Sequence, residues 1–123
     1  MKIKIIVEKT KTGYSAYAEK YAVFTTGKDL NDLKLKMLEA LNLYFEDSQK
    51  PIELSNLHIH IDLPQFFNFY NVINAKAFSE RIGMHQTLLA QYIHGNKKPS
   101  PKQTERILKG VQELGRELAG IRF

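Results

Sequence analysis

Phe78-Ser79-Glu80-Arg81-Ile82-Gly83-Met84-His85-Gln86-Thr87-Leu88-Leu89-Ala90-Gln91-Tyr92-Ile93-His94-Gly95 carries two short helical patterns separated by a glycine. Asn74 is placed to cap the first, whose inward residues are Phe78, Ser79 and Ile82. Gly83 supplies the left-handed backbone that stops it, and Met84-His85 completes a tight turn. The second helix runs from Gln86 to His94, with Leu89 and Tyr92 facing inward at a spacing of three, and Gly95 ends it. Two helices crossing at roughly 90–120° through so short a turn demand close approach. That calls for a small residue on the first (Ser79), glycine in the turn (Gly83) and a branched aliphatic on the second (Leu89). The second helix then exposes Gln86, Thr87, Ala90 and Gln91, which are short or amide side chains. Gln pairs with N6 and N7 of adenine, and Thr bonds a base edge or touches a thymine methyl, so these residues suit a DNA major groove.

Outward from this segment, charge placement points the same way. The chain has 123 residues and a formal charge of +5. Residues 1–74 balance nine Lys against nine Asp or Glu. Residues 75–123 hold nine Lys or Arg against four Glu, so the whole excess lies beside the two helices. A polyanion meets that half first. Gly95-Asn96-Lys97-Lys98-Pro99-Ser100-Pro101 leads to a last helix with an apolar stripe of Ile107, Leu108, Val111, Leu114 and Leu118. That stripe is wide enough both to cover the helix pair and to reach a second chain.

The front half changes period. Ile3, Ile5 and Val7 alternate with lysines, which predicts a half-buried strand. Lys11-Thr12-Gly13 is a turn signal, Tyr14 to Ala18 a second strand, and Tyr21 to Thr26 a third. Leu30, Leu33, Met37, Leu41 and Tyr44, widened by Leu38 and Phe45, then predict a helix ending near Phe45, with Asp29 and Asp32 in its first turn. Leu57, Ile59, Ile61 and Leu63 alternate as a fourth strand. The expectation is a β-β-β-α-β unit at residues 1–62, one sheet covered on one face by the helix, followed by an all-α domain at 63–123. Pro64 is expected to open the first helix of that second domain. The helical pattern beyond residue 73 is expected to break only at 83–84 and 95–101.

Two family resemblances rest on these residues. Residues 78–95, with Gly95-Asn-Lys-Lys-Pro-Ser100 after them, resemble the phage-repressor-type (XRE) helix-turn-helix; Ser79 stands where that family usually has Ala. The resemblance implies that Gln86, Thr87 and Gln91 touch bases. It implies that Asn74, His94, Lys97, Lys98 and Ser100 touch phosphate. Gly13-Tyr14-Ser15-Ala16-Tyr17, then Phe24-Thr25-Thr26-Gly27 and a helix of about fifteen residues resemble the HicB-type antitoxin domain. Tyr21-Ala22-Val23 replaces that family's usual turn before Phe-Thr-Thr-Gly. This resemblance implies a type II antitoxin that neutralises a small HicA-type mRNA-cleaving toxin and represses its own operon. Tyr14, Tyr17 and Tyr21 are candidates for a partner-binding face, since aromatic residues dominate interface energetics; packing within the small sheet is the other role open to them.

Other function classes find less purchase. The chain has no cysteine, which removes disulfides, cysteine zinc sites and thiol nucleophiles. No apolar run reaches the roughly 18 residues of a membrane span, and the alternating N-terminus is unlike a signal peptide. The expectation is a soluble cytoplasmic protein. His58, His60 and Asp62 share one strand face, but three adjacent strand residues rarely converge on one ion, so no metal or other cofactor is expected. No Ser-His-Asp order or phosphate-cradling glycine loop is visible, and the chain is expected not to be an enzyme. The expected partners are operator DNA, a second copy or more of the chain, and a HicA-type toxin. A stand-alone repressor with a ligand-sensing or dimerising front domain is the alternative.

Overall fold

A computed structural model describes residues 1–123, an α+β chain with a four-stranded mixed sheet and five α-helices. It divides into two units, 1–69 and 70–123.

In the first unit, β1 (Ile3–Thr10), β2 (Gly13–Ala18) and β3 (Phe24–Gly27) precede α1 (Leu30–Tyr44), and β4 (Leu57–Ile61) and α2 (Leu63–Phe69) follow it. The strand order is β3-β2-β1-β4. The β1–β2 and β2–β3 pairs are antiparallel, and β4 lies parallel to β1 with Ile5 opposite Ile59. The core is built from one face of β1 (Ile3, Ile5, Val7), Ala16 and Ala18 of β2, and Leu33, Met37 and Leu41 of α1. Met37 and Leu41 are completely buried, and full burial of such a side chain contributes about 1.5–3 kcal/mol. Leu30 and Tyr44, expected inward, lie at the ends of the stripe and stay largely exposed.

The start of α1 is held by paired carboxylates. Asp29 accepts the Asp32 N–H at 2.8 Å, and Asp32 accepts the Lys28 N–H at 2.9 Å. That second hydrogen bond, with the Lys36 ammonium 3.3 Å away, holds the Asp32 carboxyl below its ordinary pKa. Beyond the helix, Asn42 accepts the Ile52 N–H at 2.7 Å and donates to the Ile52 carbonyl at 3.0 Å, tying the loop back onto α1.

The structure corrects two sequence expectations. β3 begins at Phe24 rather than Tyr21, because the chain tightens at Tyr21 (Val23 N–H to Tyr21 carbonyl, 2.8 Å) and turns Val23 into the core. The boundary falls after Phe69 rather than after residue 62, because α2 belongs to the first unit. Gln65 reads Lys9 as a neighbouring strand would, accepting its N–H at 2.9 Å and donating to its carbonyl at 2.6 Å. Asp62 accepts the Gln65 N–H at 3.1 Å and steadies that turn. A turn at 70–73, closed by the Ile73 N–H on the Tyr70 carbonyl at 3.0 Å, follows α2.

In the second unit, α3 (Ala75–Arg81), α4 (Gln86–Ile93) and α5 (Pro101–Ala119) enclose Phe78, Ser79, Met84, Leu89, Tyr92 and Ile107. No helix of the chain is long and apolar enough to cross a membrane.

Candidate nucleic-acid interface

The elbow between α3 and α4 is set by backbone hydrogen bonding at Gly83. Its φ is +66°. The Met84 N–H reaches back to the Ser79 carbonyl at 2.9 Å, and the Gly83 N–H to the Glu80 carbonyl at 3.2 Å. These two bonds make a Schellman stop, and Met84 folds under it and is buried. The same device closes α4. Gly95 has φ +75°, and the Asn96 and Gly95 N–H groups bond the Gln91 and Tyr92 carbonyls at 2.9 and 3.2 Å. Ser79 is 1% exposed, and its hydroxyl is satisfied by the Lys76 carbonyl at 2.6 Å. A buried serine therefore sits in the helix crossing without an orphaned polar atom.

Two residues that support this elbow leave no local sequence signal. Arg106 of α5 donates to the Ile82 carbonyl at 2.9 Å and the Gly83 carbonyl at 2.6 Å, closing the C-terminal end of α3 with a cation. Its charge is thus engaged within the fold. Gly110 lets α5 press against α3: a Cβ there would lie 2.3 Å from the Ile82 methyl and 3.2 Å from the Phe78 ring. Both were detectable only as a basic residue and a glycine inside an otherwise regular helical pattern.

Each expected core residue of the pair is buried or half-buried except Gly83, whose role is conformational. Gln86 and Thr87 are exposed at the start of α4. Ala90 and Gln91 continue their face at a spacing of four but are half-buried, because Gln91 lies where the chain folds back through Asn96 and Lys97, both bonded to its carbonyl. The face opens most widely at its N-terminal end.

Several expected phosphate-contacting groups have structural duties too. Asn74 caps α3 by accepting the Ala77 N–H at 3.0 Å, and Ser100 caps α5 by accepting the Gln103 N–H at 3.2 Å. The Asn74 amide nitrogen and the Ser100 hydroxyl proton can still donate. His94 bonds the Ala90 carbonyl through Nδ1 at 2.8 Å. Nδ1 must then carry the proton, so Nε2 donates to a phosphate only when the ring is a cation. Lys97 and Lys98 are exposed just beyond Gly95.

His85 was not singled out by the sequence pattern. It caps α4 by accepting the Thr87 N–H on Nδ1 at 3.2 Å. That bond selects the neutral tautomer with Nε2–H, an exposed donor beside Gln86.

The tyrosines of the first unit do not share a face. Tyr17 is 42% exposed on the sheet face away from α1, beside Phe24 at 66%. Tyr14 packs against the core, with the Lys9 ammonium 4.8 Å from its ring centre. Tyr21 stacks edge-on to Phe45. No protein-family model, curated protein sequence or solved structure matches this chain.

Proposed function

We propose that this chain is a sequence-specific DNA-binding antitoxin. In this reading α3 and α4 form a helix-turn-helix whose α4 enters the major groove, and the first unit covers a small HicA-type toxin. The carrying observation is the exposed pair Gln86 and Thr87 at the open N-terminal end of α4, with the exposed Lys97 and Lys98 beyond its other end, in the unit that holds all the excess positive charge. Amide and hydroxyl groups there suit base edges, and the lysines suit the flanking backbone. The antitoxin half rests on the resemblance of the β-β-β-α-β order and the Phe24-Thr25-Thr26-Gly27 turn to the HicB type, and on the adjacent exposed rings of Tyr17 and Phe24.

A stand-alone, ligand-sensing repressor is the second reading. An open cavity of about 660 Å³ between Phe45, Pro51, Ile52 and Asn56 favours it.

A salt-titrated gel shift on the DNA upstream of the gene tests both, with and without the product of the adjacent reading frame. Gln86→Ala is expected to cost about 1–3 kcal/mol on the specific site and little on random DNA. Equal loss on both would remove the base-reading role. Co-purification of a small adjacent gene product favours the antitoxin, whereas ligand-dependent DNA affinity without one favours the sensor.

A further inference from the structure

α1 covers one face of the four-stranded sheet, and the strand register fixes what stands on the other. Phe24 of β3 lies opposite Tyr17 of β2, Tyr17 opposite Ile6 of β1, and Ile6 opposite His60 of β4. Residues paired across strands share a face. Ile6 lies between Ile5 and Val7, which point into the core beneath α1, so it points the other way. The four residues therefore form one row across the sheet on the side away from α1. Strands lie about 4.8 Å apart, so the row spans about 14 Å. Phe24, Tyr17 and His60 are exposed, and Ile6 is half-buried.

An open recess of about 290 Å³ adjoins the His60 end of this row, and Lys2, Lys4, Lys20, Glu19 and His58 line it with His60. The Lys4 ammonium pairs with Glu19 at 3.1 Å, which leaves the exposed Lys2 and Lys20 as the excess charge. Glu8 stands on the other side of the row, opposite Ser15. One flank of the row is thus cationic and the other acidic. Two exposed rings alone suit many partners, a protein among them. Rings that continue into an imidazole, with ammonium groups along one flank, match flat bases joined by phosphates. A duplex does not fit such a platform, because its bases are already stacked on one another.

We propose that the open sheet face binds a single strand of nucleic acid. About two or three bases stack along Phe24, Tyr17 and His60, and the phosphates run past Lys2 and Lys20. The site rests on neither the DNA-binding nor the antitoxin reading, although a toxin covering Tyr17 and Phe24 would exclude the strand.

The test is fluorescence anisotropy of the full chain with labelled single strands of about ten nucleotides, a uridine-rich RNA and a thymidine-rich DNA, and with a DNA duplex beside them. Both single strands are expected to bind; binding of one alone would support the site and name the sugar it takes. Tyr17→Ala and Phe24→Ala are each expected to weaken single-strand binding about tenfold and to leave duplex binding unchanged. Tyr17→Phe keeps the ring and is expected to stay within about twofold of the wild type. Lys20→Ala is expected to reduce the slope of log affinity against log salt by about 0.7, whereas Tyr17→Ala leaves the slope as it is. Should Tyr17→Ala lower the melting temperature sharply, Phe24→Ala on the edge strand and Lys20→Ala in the turn still decide. Three results would overturn the site: no binding of either single strand, binding that both ring variants leave intact, or equal loss on single strand and duplex. Failure of the wild-type chain to bind the duplex would count only against the DNA-binding reading.

Discussion

Gly83 holds the left-handed backbone on which the elbow between α3 and α4 depends, and the only atom near its missing Cβ is an Arg106 guanidinium nitrogen at 3.3 Å. A substitution there acts first through the backbone, and its Cβ also presses on a guanidinium nitrogen that is bonded to the Ile82 and Gly83 carbonyls. Left-handed geometry costs an ordinary L-residue about 1–2 kcal/mol, and asparagine less. Gly83→Ala is expected to lower stability by about that amount, with Gly83→Asn between it and the wild type, as read by urea denaturation. Equal midpoints for all three would mean that the turn relaxes out of the left-handed region. The glycine was legible in the sequence because a stop signal is local. Arg106 was not, since its partners lie 24 and 23 residues earlier in the chain.

At the scale of elements, α1 shows how a helix start responds to pH. Asp32 accepts the Lys28 N–H and pairs with Lys36, and its carboxyl is held below the ordinary value of 3.8. A lowered folded-state pKa means that the stabilisation is present above that ordinary value. It is lost as pH falls through the folded-state value. Asp32→Asn is therefore expected to lower the melting temperature at neutral pH and to flatten its fall in the acid range. The difference from wild type should shrink toward low pH. An undiminished difference in strong acid would show that the carboxylate's charge is not what matters. α1 was readable from Leu33, Met37 and Leu41 because one element supplies the whole pattern. The place of α2 in the first unit was not readable, because it lies in the Gln65 side chain bonding Lys9, 56 residues away.

For the whole molecule, the charge asymmetry sets how it meets a polyanion. The first unit is balanced and the second carries the entire +5. Lys97→Ala is expected to weaken binding to specific and random DNA alike and to reduce the slope of log affinity against log salt by about one. An unchanged slope would place Lys97 away from the phosphates. Gln86 and Lys97 thus predict different signatures, a loss of discrimination and a uniform loss.

The amino-acid sequence by itself determined the order of the four strands and α1 in the sheet unit, the glycine stops at Gly83 and Gly95, the buried Leu33, Met37 and Leu41 of α1 and the confinement of positive charge to the second half. Each is a local or periodic property, set by backbone sterics and by which side of an element is apolar. Tertiary structure alone decided that β4 lies parallel to β1, that Arg106 closes α3, that Gly110 admits Ile82, and that Tyr14 and Tyr21 turn toward the core while Tyr17 faces outward. Those outcomes depend on hydrogen bonds and close packing between residues far apart in the chain, for which neither period nor propensity carries a signal.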